Sequence, residues 1–296
     1  MARSAGTIHD DDENARAVGL TGEIGYGMLA ATILSRAITD VVGAGNVQRL
    51  YTRFVRPSWV GETLETHVVV KVLQRTERGL QADLHCRVCT SEGDERLKGS
   101  ATVVAPYEST ARVAALPSAP DGAPPIVGAG LAITETGTGT LAVVERSAVV
   151  NFARSADETN PEYFDSRAAR AHHHRHIPAP PTFALDSTLQ YWGGWDEMQG
   201  GREVVDPMEA ATDALERVAG PGLVIQADQL FAYRRPIYVD DVLLGTSQMG
   251  QPLRKKGRGG ELTFLGFGSR WSDARTGEEV MTSRMTIVAP REGRSR

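Results

Sequence analysis

The chain has 296 residues, a formal net charge of −5, and 41% hydrophobic against 23% charged residues. That length suits two ordinary domains with a core each, and the acidic balance excludes a general attraction to nucleic acid or anionic lipid. The longest apolar runs fall short of a membrane span. The opening MARSAGTIHDDDEN has neither an apolar h-region nor an Arg-rich, acid-poor character, so the cytoplasm is the expected compartment and no membrane passage is expected.

In chain order, GTIHDDDENARAVG (6–19) sets His9 ahead of Asp10, Asp11 and Asp12. Carboxylates at that place are suited to cap and charge the start of a helix, and the spacing selects none of them as a base. Residues 27–43, GMLAATILSRAITDVVG, are apolar nearly all round a helix that stops at Gly43, so this helix must be wrapped by other structure. The segments 50–57, 64–73, 80–89 and 96–105 then read as strands, with turns at RTERG and TSEGDE. Cys86 and Cys89 form a CxxC within a strand; side chains three apart point to opposite faces, so no shared metal or disulfide is expected.

Between Ala105 and Thr140 periodicity gives way to Pro, Gly, Ala and Ser, which predicts a linker or long crossing connection over 108–140. SADETNPEYFD (155–165) follows, bringing Glu158, Asn160, Pro161 and Tyr163 into one short run. An Asn-Pro pair is also a common turn former. His172, His173, His174 and His176 could bind a metal, but adjacent loop histidines are read as solvated and no metal is expected. A second helix candidate spans 181–195, and 196–221 reads as a helical insertion or excursion. Strand patterns return at 225–236, 242–249, 261–271 and 280–289, with the basic cluster RKKGRGG (254–260) read as a solvated hairpin turn.

Two matched pairs frame these halves. RPSWVGETL (56–64) parallels RPIYVDDVL (235–243), and TVVAP (102–106) parallels TIVAP (286–290), in the same order and at similar separations. Two copies of one α+β fold are expected, each an antiparallel sheet wrapped around a long central helix.

These stretches resemble the MaoC-like (R)-specific enoyl-thioester hydratases and 3-hydroxyacyl-thioester dehydratases. That family's catalytic loop reads D-x-N-P-x-H and leads to a helix entered through a sequence like A-H-G-M-L. TIHDDDENARAVGLTGEIGYGMLAA resembles the histidine end of the loop and the helix entry; NFARSADETNPEYFDSRAAR followed by IPAPPTF resembles the partner module of double-hotdog members. The resemblance implies a double hotdog in reversed order: 1–107 like the catalytic module, 108–140 the linker, 141–296 like the non-catalytic partner. It implies a 2-enoyl or 3-hydroxyacyl thioester of coenzyme A or acyl carrier protein as substrate, with no further cofactor, and a homodimer or a hetero-oligomer with another hotdog protein. It also implies His9 as the acid-base residue and the Gly27 amide as oxyanion donor.

Such chemistry needs a base for water, an acid for C2 and donors for the thioester oxygen; amides in the first turn of a helix can supply the last. The chain departs from the family loop. Counting back from His9, the Asp falls on Ser4, the Asn on Gly6 and the Pro on Thr7. In the second copy Glu158 stands at the Asp position, Asn160 and Pro161 remain, and Tyr163 replaces the histidine, so this run is expected to hold the loop and line the substrate. Two alternatives stay open beside the hydratase: a catalytically silent hotdog subunit that shapes a partner's acyl tunnel, and a hotdog enzyme of altered reaction, namely thioesterase, isomerase or cyclase. His9 equally fits a role limited to hydrogen bonding in its loop.

Overall fold

The structure, a computed structural model, describes residues 8–77, 79–106, 109–120, 133–135, 140–184, 207–220, 222–257 and 260–290. Its first half holds a short helix α1 (Asp12–Ala17), the long helix α2 (Gly27–Val42), and strands β1 (Val47–Phe54), β2 (Leu64–Thr76), β3 (Gly79–Thr90) and β4 (Glu95–Ala105). The connection carries α3 (Thr110–Ala114) and β5 (Ile133–Glu135). The second half holds β6 (Thr140–Val143), α4 (Arg146–Ser155), α5 (Ser166–Ala171) and α6 (Pro207–Ala219). Strands β7 (Ile225–Tyr233), β8 (Val242–Gly250), β9 (Leu253–Gly257), β10 (Gly260–Asp273) and β11 (Glu279–Pro290) complete it.

All of these strands join one antiparallel sheet in the order β2-β3-β4-β1-β7-β11-β10-β8-β5, with β6 also on β8 and β9 on β10. The order is symmetric about the β1–β7 ladder, where Leu50 faces Phe231 and Tyr51 faces Leu230. On either side β4 corresponds to β11, β3 to β10 and β2 to β8, so two four-stranded sheets meet edge to edge. The matched RPSW and RPIY turns fold alike. The Trp59 amide donates to Glu62 at 3.0 Å, and the Tyr238 amide donates to Asp241 at 2.9 Å. Each carboxylate is then held by arginine, Glu62 by Arg96 Nε at 2.9 Å and Asp241 by Arg235 at 2.6 Å and by Arg175.

Helix α2 is wrapped, as its apolar circumference requires: Ala31, Leu34, Ile38 and Val42 are fully or almost fully buried. The core around it is shared between the halves, because Phe183, Phe231 and Trp271 belong to the same cluster as Leu34 and Leu84. A hydrogen bond of 3.0 Å between the Thr32 and Thr182 hydroxyls crosses the same seam. Leu29, in the first turn, departs from the all-round apolar expectation and is 47% exposed.

The second helix candidate lies, beyond Ala184, outside the described residues, as do Tyr191, Trp192 and Trp195. The expected excursion contains α6, which packs Ala211 and Leu215 on Leu265, Phe267, Met285 and Ile287 of β10 and β11. The connection over 108–140 is not featureless, since β5 pairs with the end of β8 and Ser118 bridges to Val70 of β2. Within the basic cluster, 254–257 lie in β9, which pairs with β10, and Lys255 lies over the Phe264 ring.

Cys86 and Cys89 are both buried and unbridged. The β3–β4 register shifts between Val88 and Cys89, and a bulge of this kind breaks the simple alternation. Burial pushes the Cys86 thiol up to about 12. No helix among the described residues is long and apolar enough to cross a membrane.

Candidate active site

His9 stacks on Tyr26, the residue that precedes Gly27 at the start of α2. The helix is entered through Tyr26, an extended N-cap residue whose side chain makes no capping hydrogen bond. First-turn amides have no acceptor within a helix and carry a partial positive charge, so a bare helix start is suited to an oxyanion. A Cβ at Gly27 would lie 3.0 Å from the Phe54 ring, a tight approach that the ring would have to yield to.

His9 lies in the turn before α1, its Nδ1 2.9 Å from the Ile24 carbonyl and its ring stacked on Tyr26 at 4.0 Å between centroids. A carbonyl only accepts, so Nδ1 carries the hydrogen in this contact. The 24–26 segment is itself pinned: Ile24 donates to the Ile8 carbonyl at 3.2 Å, and Gly25 donates to the Ser58 carbonyl at 2.7 Å. The turn of the matched RPSW stretch thus backs the histidine. Asp11 caps α1 through the Glu13 and Asn14 amides, and Asp12 pairs with Arg16 at 2.5 Å and accepts from Glu23 N. Both carboxylates are occupied structurally.

Glu158, Asn160 and Tyr163 lie at the opposite end of α2. The helix rises ~1.5 Å per residue, so the thirteen steps from Gly27 to Asp40 separate the two loops by ~20 Å, and they cannot merge into one dyad. Asp157, in the left-handed region at φ 53°, pairs with Arg36 at 3.0 Å. Asn160 caps a 3-10 turn over Pro161–Tyr163 by accepting from the Glu162 amide at 3.0 Å. Tyr163 is fully buried against Ala44 and Ala153, and burial followed by the Glu158 carboxyl pushes its phenol well above the ordinary value. Glu158 is 7% exposed, and burial together with the Asp40 carboxylate pushes it up to about 7, against the pull of Arg36. Its Oε2 has no hydrogen-bond partner among the described residues, so this oxygen does not hold the loop, contrary to expectation.

The loop is held by a residue that sequence reasoning passed over. Glu162, also buried, accepts from Asn160 Nδ2 at 3.2 Å and meets His174 Nε2 at 3.0 Å and His172 at 3.5 Å. Burial pushes its carboxyl up, but hydrogen bonds from His174 and Asn160 outweigh that and hold it below the usual range. His174 Nδ1 lies 3.2 Å from the Tyr238 hydroxyl. The histidine run is therefore not uniformly solvated. His174 is half-buried, His172 stays largely exposed, and His176 pairs with Asp240 at 3.3 Å. No group of three or more metal-ligating side chains is arranged to hold a metal among the described residues. A cavity of about 570 Å³ opens beside this cluster, between the end of α2 and the 159–162 loop.

Residues 132–283 match the family model of the FAS1-like dehydratase domain region. Over 104 residues, 35% of this chain, the sequence is 34% identical to a UPF0336 protein of Streptomyces griseus, and a UPF0336 protein of Streptomyces coelicolor is 31% identical over the same length. The chain spans 59% of the length of these curated relatives. Among solved structures it is similar to a MaoC domain protein of Chloroflexus aurantiacus, with a TM-score of 0.63, 14% identity, and coverage of 95% of this chain and 86% of the other. It is also similar to RV0216 of Mycobacterium tuberculosis, which has a double hotdog fold, with a TM-score of 0.52, 14% identity, and coverage of 94% and 86%. A MaoC-like dehydratase matches with a TM-score of 0.53, 13% identity, and coverage of 95% and 88%.

Proposed function

Because the chain belongs to the MaoC-like dehydratase family, we propose that it interconverts 2-enoyl and 3-hydroxyacyl groups carried as thioesters on coenzyme A or acyl carrier protein. The observation that carries this reading is His9, anchored through Nδ1 beside the uncapped start of α2 at Gly27. In the dehydration direction His9 Nε2 takes the C2 proton and the C2–H electron pair becomes the double bond. The C3 hydroxyl then leaves as water with a proton returned to it. Charge that builds on the thioester oxygen is received by the Gly27 amide. The exposed Tyr26 and Leu29 beside the helix start offer apolar surface for an acyl chain.

In this reading 1–107 is the module with the reacting end, 108–140 the connection and 141–296 the partner module, an order reversed from the usual double hotdog. The protein works in the cytoplasm, as a homodimer or with another hotdog chain. A second reading, a silent subunit that shapes a partner's acyl tunnel, is favoured by the loss of the family Asp, Asn and Pro at Ser4, Gly6 and Thr7. Following the conjugated enone of a short 2-enoyl-CoA separates the two. Turnover by the purified chain that falls on His9→Ala supports the hydratase, and no turnover supports the silent subunit. Free-thiol release in the same assay reports hydrolysis.

A further inference from the structure

The chemistry at His9 leaves unused the cluster at the other end of α2, where a carboxylate, an imidazole and a phenol follow one another beside a cavity. We propose that Glu162, His174 and Tyr238 form a second acid-base centre, independent of His9, that receives a 3-hydroxyacyl or 2-enoyl thioester in the cavity at the seam of the two halves. The substrate class rests on the functional reading above; the site rests on its own geometry.

The cavity of about 570 Å³ is lined from the first half by Asp40 and Asn46, from the connection by Arg112, and from the second half by Glu162, His174 and Tyr238. Pockets of this size hold a small organic ligand or a large part of a longer one. Its floor is the 159–162 loop, the second copy's counterpart of the family's catalytic loop. That loop carries Tyr163 in place of a histidine, but an imidazole is restored from outside it. His174 reaches back across α5 to Glu162, with 10% of its side chain exposed and a separation of 3.0 Å. The close approach depends on Gly45, where a Cβ would lie 2.7 Å from His174 Cε1.

Both nitrogens of His174 are engaged, Nε2 with Glu162 and Nδ1 with the Tyr238 hydroxyl at 3.2 Å. The phenol is therefore the group that meets a ligand. Its ring is fixed from three sides: the Tyr238 amide donates to Asp241, Arg175 lies 5.0 Å over the ring, and His174 packs against it. Burial raises the phenol, so it enters the reaction protonated. The matching position in the first half is Trp59, which has no ionisable group.

When protonated, His174 donates to Glu162 from one nitrogen and to the Tyr238 oxygen from the other, and the Tyr238 O–H is then available to the cavity. In dehydration the C3–O bond breaks as the hydroxyl takes the Tyr238 proton and leaves as water. The phenolate formed, stabilised by the adjacent imidazolium, takes the C2 proton, and the C2–H pair becomes the C2=C3 bond. Tyr238 is thereby restored, and no oxidant, reductant or metal enters the balance.

The test uses the full chain and crotonyl-CoA. The turnover remaining in His9→Ala is expected to fall by a further ~10²-fold when Tyr238→Phe is added, the scale of losing a positioned acid-base group. An unchanged remainder, or no remainder at all in His9→Ala, overturns the proposal. Full turnover in His9→Ala with collapse in Tyr238→Phe alone defeats the His9 reading and keeps this one. Should the wild-type chain hydrate no enoyl thioester, the functional reading fails and the site is judged by binding of butyryl-CoA, a saturated thioester that cannot react. Movement of the His174 ring signals in the NMR spectrum keeps the site, and signals that stay in place overturn it.

Discussion

The two loops at the ends of α2 are stabilised in different ways. The His9 loop is tied by backbone groups, with the imidazole on the Ile24 carbonyl and the Gly25 amide on Ser58. The 155–165 loop is tied by side-chain charge, through Asp157 with Arg36 and Glu162 with His174 and Asn160. Backbone ties leave side-chain chemistry available for a reaction. Ionic ties gather titratable side chains at the cavity instead, and they leave Glu158 where burial opposes its charge.

The comparison is tested most strongly at His9. Its replacement by alanine is expected to lower turnover of a short 2-enoyl-CoA by ~10² to 10⁴, with thermal unfolding close to that of the wild type. Equal turnover with an intact fold removes His9 from the reaction.

Glu158→Gln tests the buried charge at the other end. The carboxyl's value rises from 4.5 to about 7 on folding, so the folded state holds the proton more tightly. That contribution is fully present below pH ~4.5 and is lost as pH rises to ~7. Above this range wild-type folding carries a penalty of about 3 kcal/mol, from 1.36 kcal/mol per unit, which the amide lacks. Denaturant unfolding at pH 8 is expected to show the variant more stable, and the gain should vanish by pH 4.5; an equal gain at both values refutes the buried-charge account.

A smaller effect is expected at Gly45→Ala. The residue has φ 70° and its added methyl meets His174, so a loss of about 1–2 kcal/mol is expected together with a displaced His174 signal. Stability equal to wild type with an unmoved signal breaks the claim that Gly45 admits His174. Smallest of all, Glu158→Gln combined with Tyr163→Phe is expected to leave turnover near normal, because neither group lies at the His9 end. A collapse of turnover with thioester binding retained would move the reacting site to the second copy.

Much of the frame was legible in the residues themselves. The matched RPSW and RPIY stretches fold into equivalent turns because each carries a carboxylate that caps its own amide. The alternation in 80–89 and 96–105 marks strands because every second side chain enters a core. The Glu162–His174–Tyr238 chain was not legible. Its members are 12 and 64 positions apart, and only α5 and the RPIY turn bring them together. A run reading HHHRH has no periodicity that separates His174, which meets Glu162, from the exposed His172 and His173. Likewise the charges that act on Glu158 come from Asp40 and Arg36 of α2, more than a hundred residues upstream.

The ladder between β1 and β7 bears on how the chain must be handled as two pieces. In the intact chain each strand satisfies the other's row of amides and carbonyls, and the sheet runs through with its outer edges at β2 and at β5 and β6. A cut within 108–140 would leave each half with a bare strand edge, a template for any other extended segment. The covalent connection raises the local concentration of the correct partner edge above that of a competing chain. Co-expressed halves would have to win that competition by diffusion, so self-pairing through β1 or β7 is the failure to look for when the chain is split.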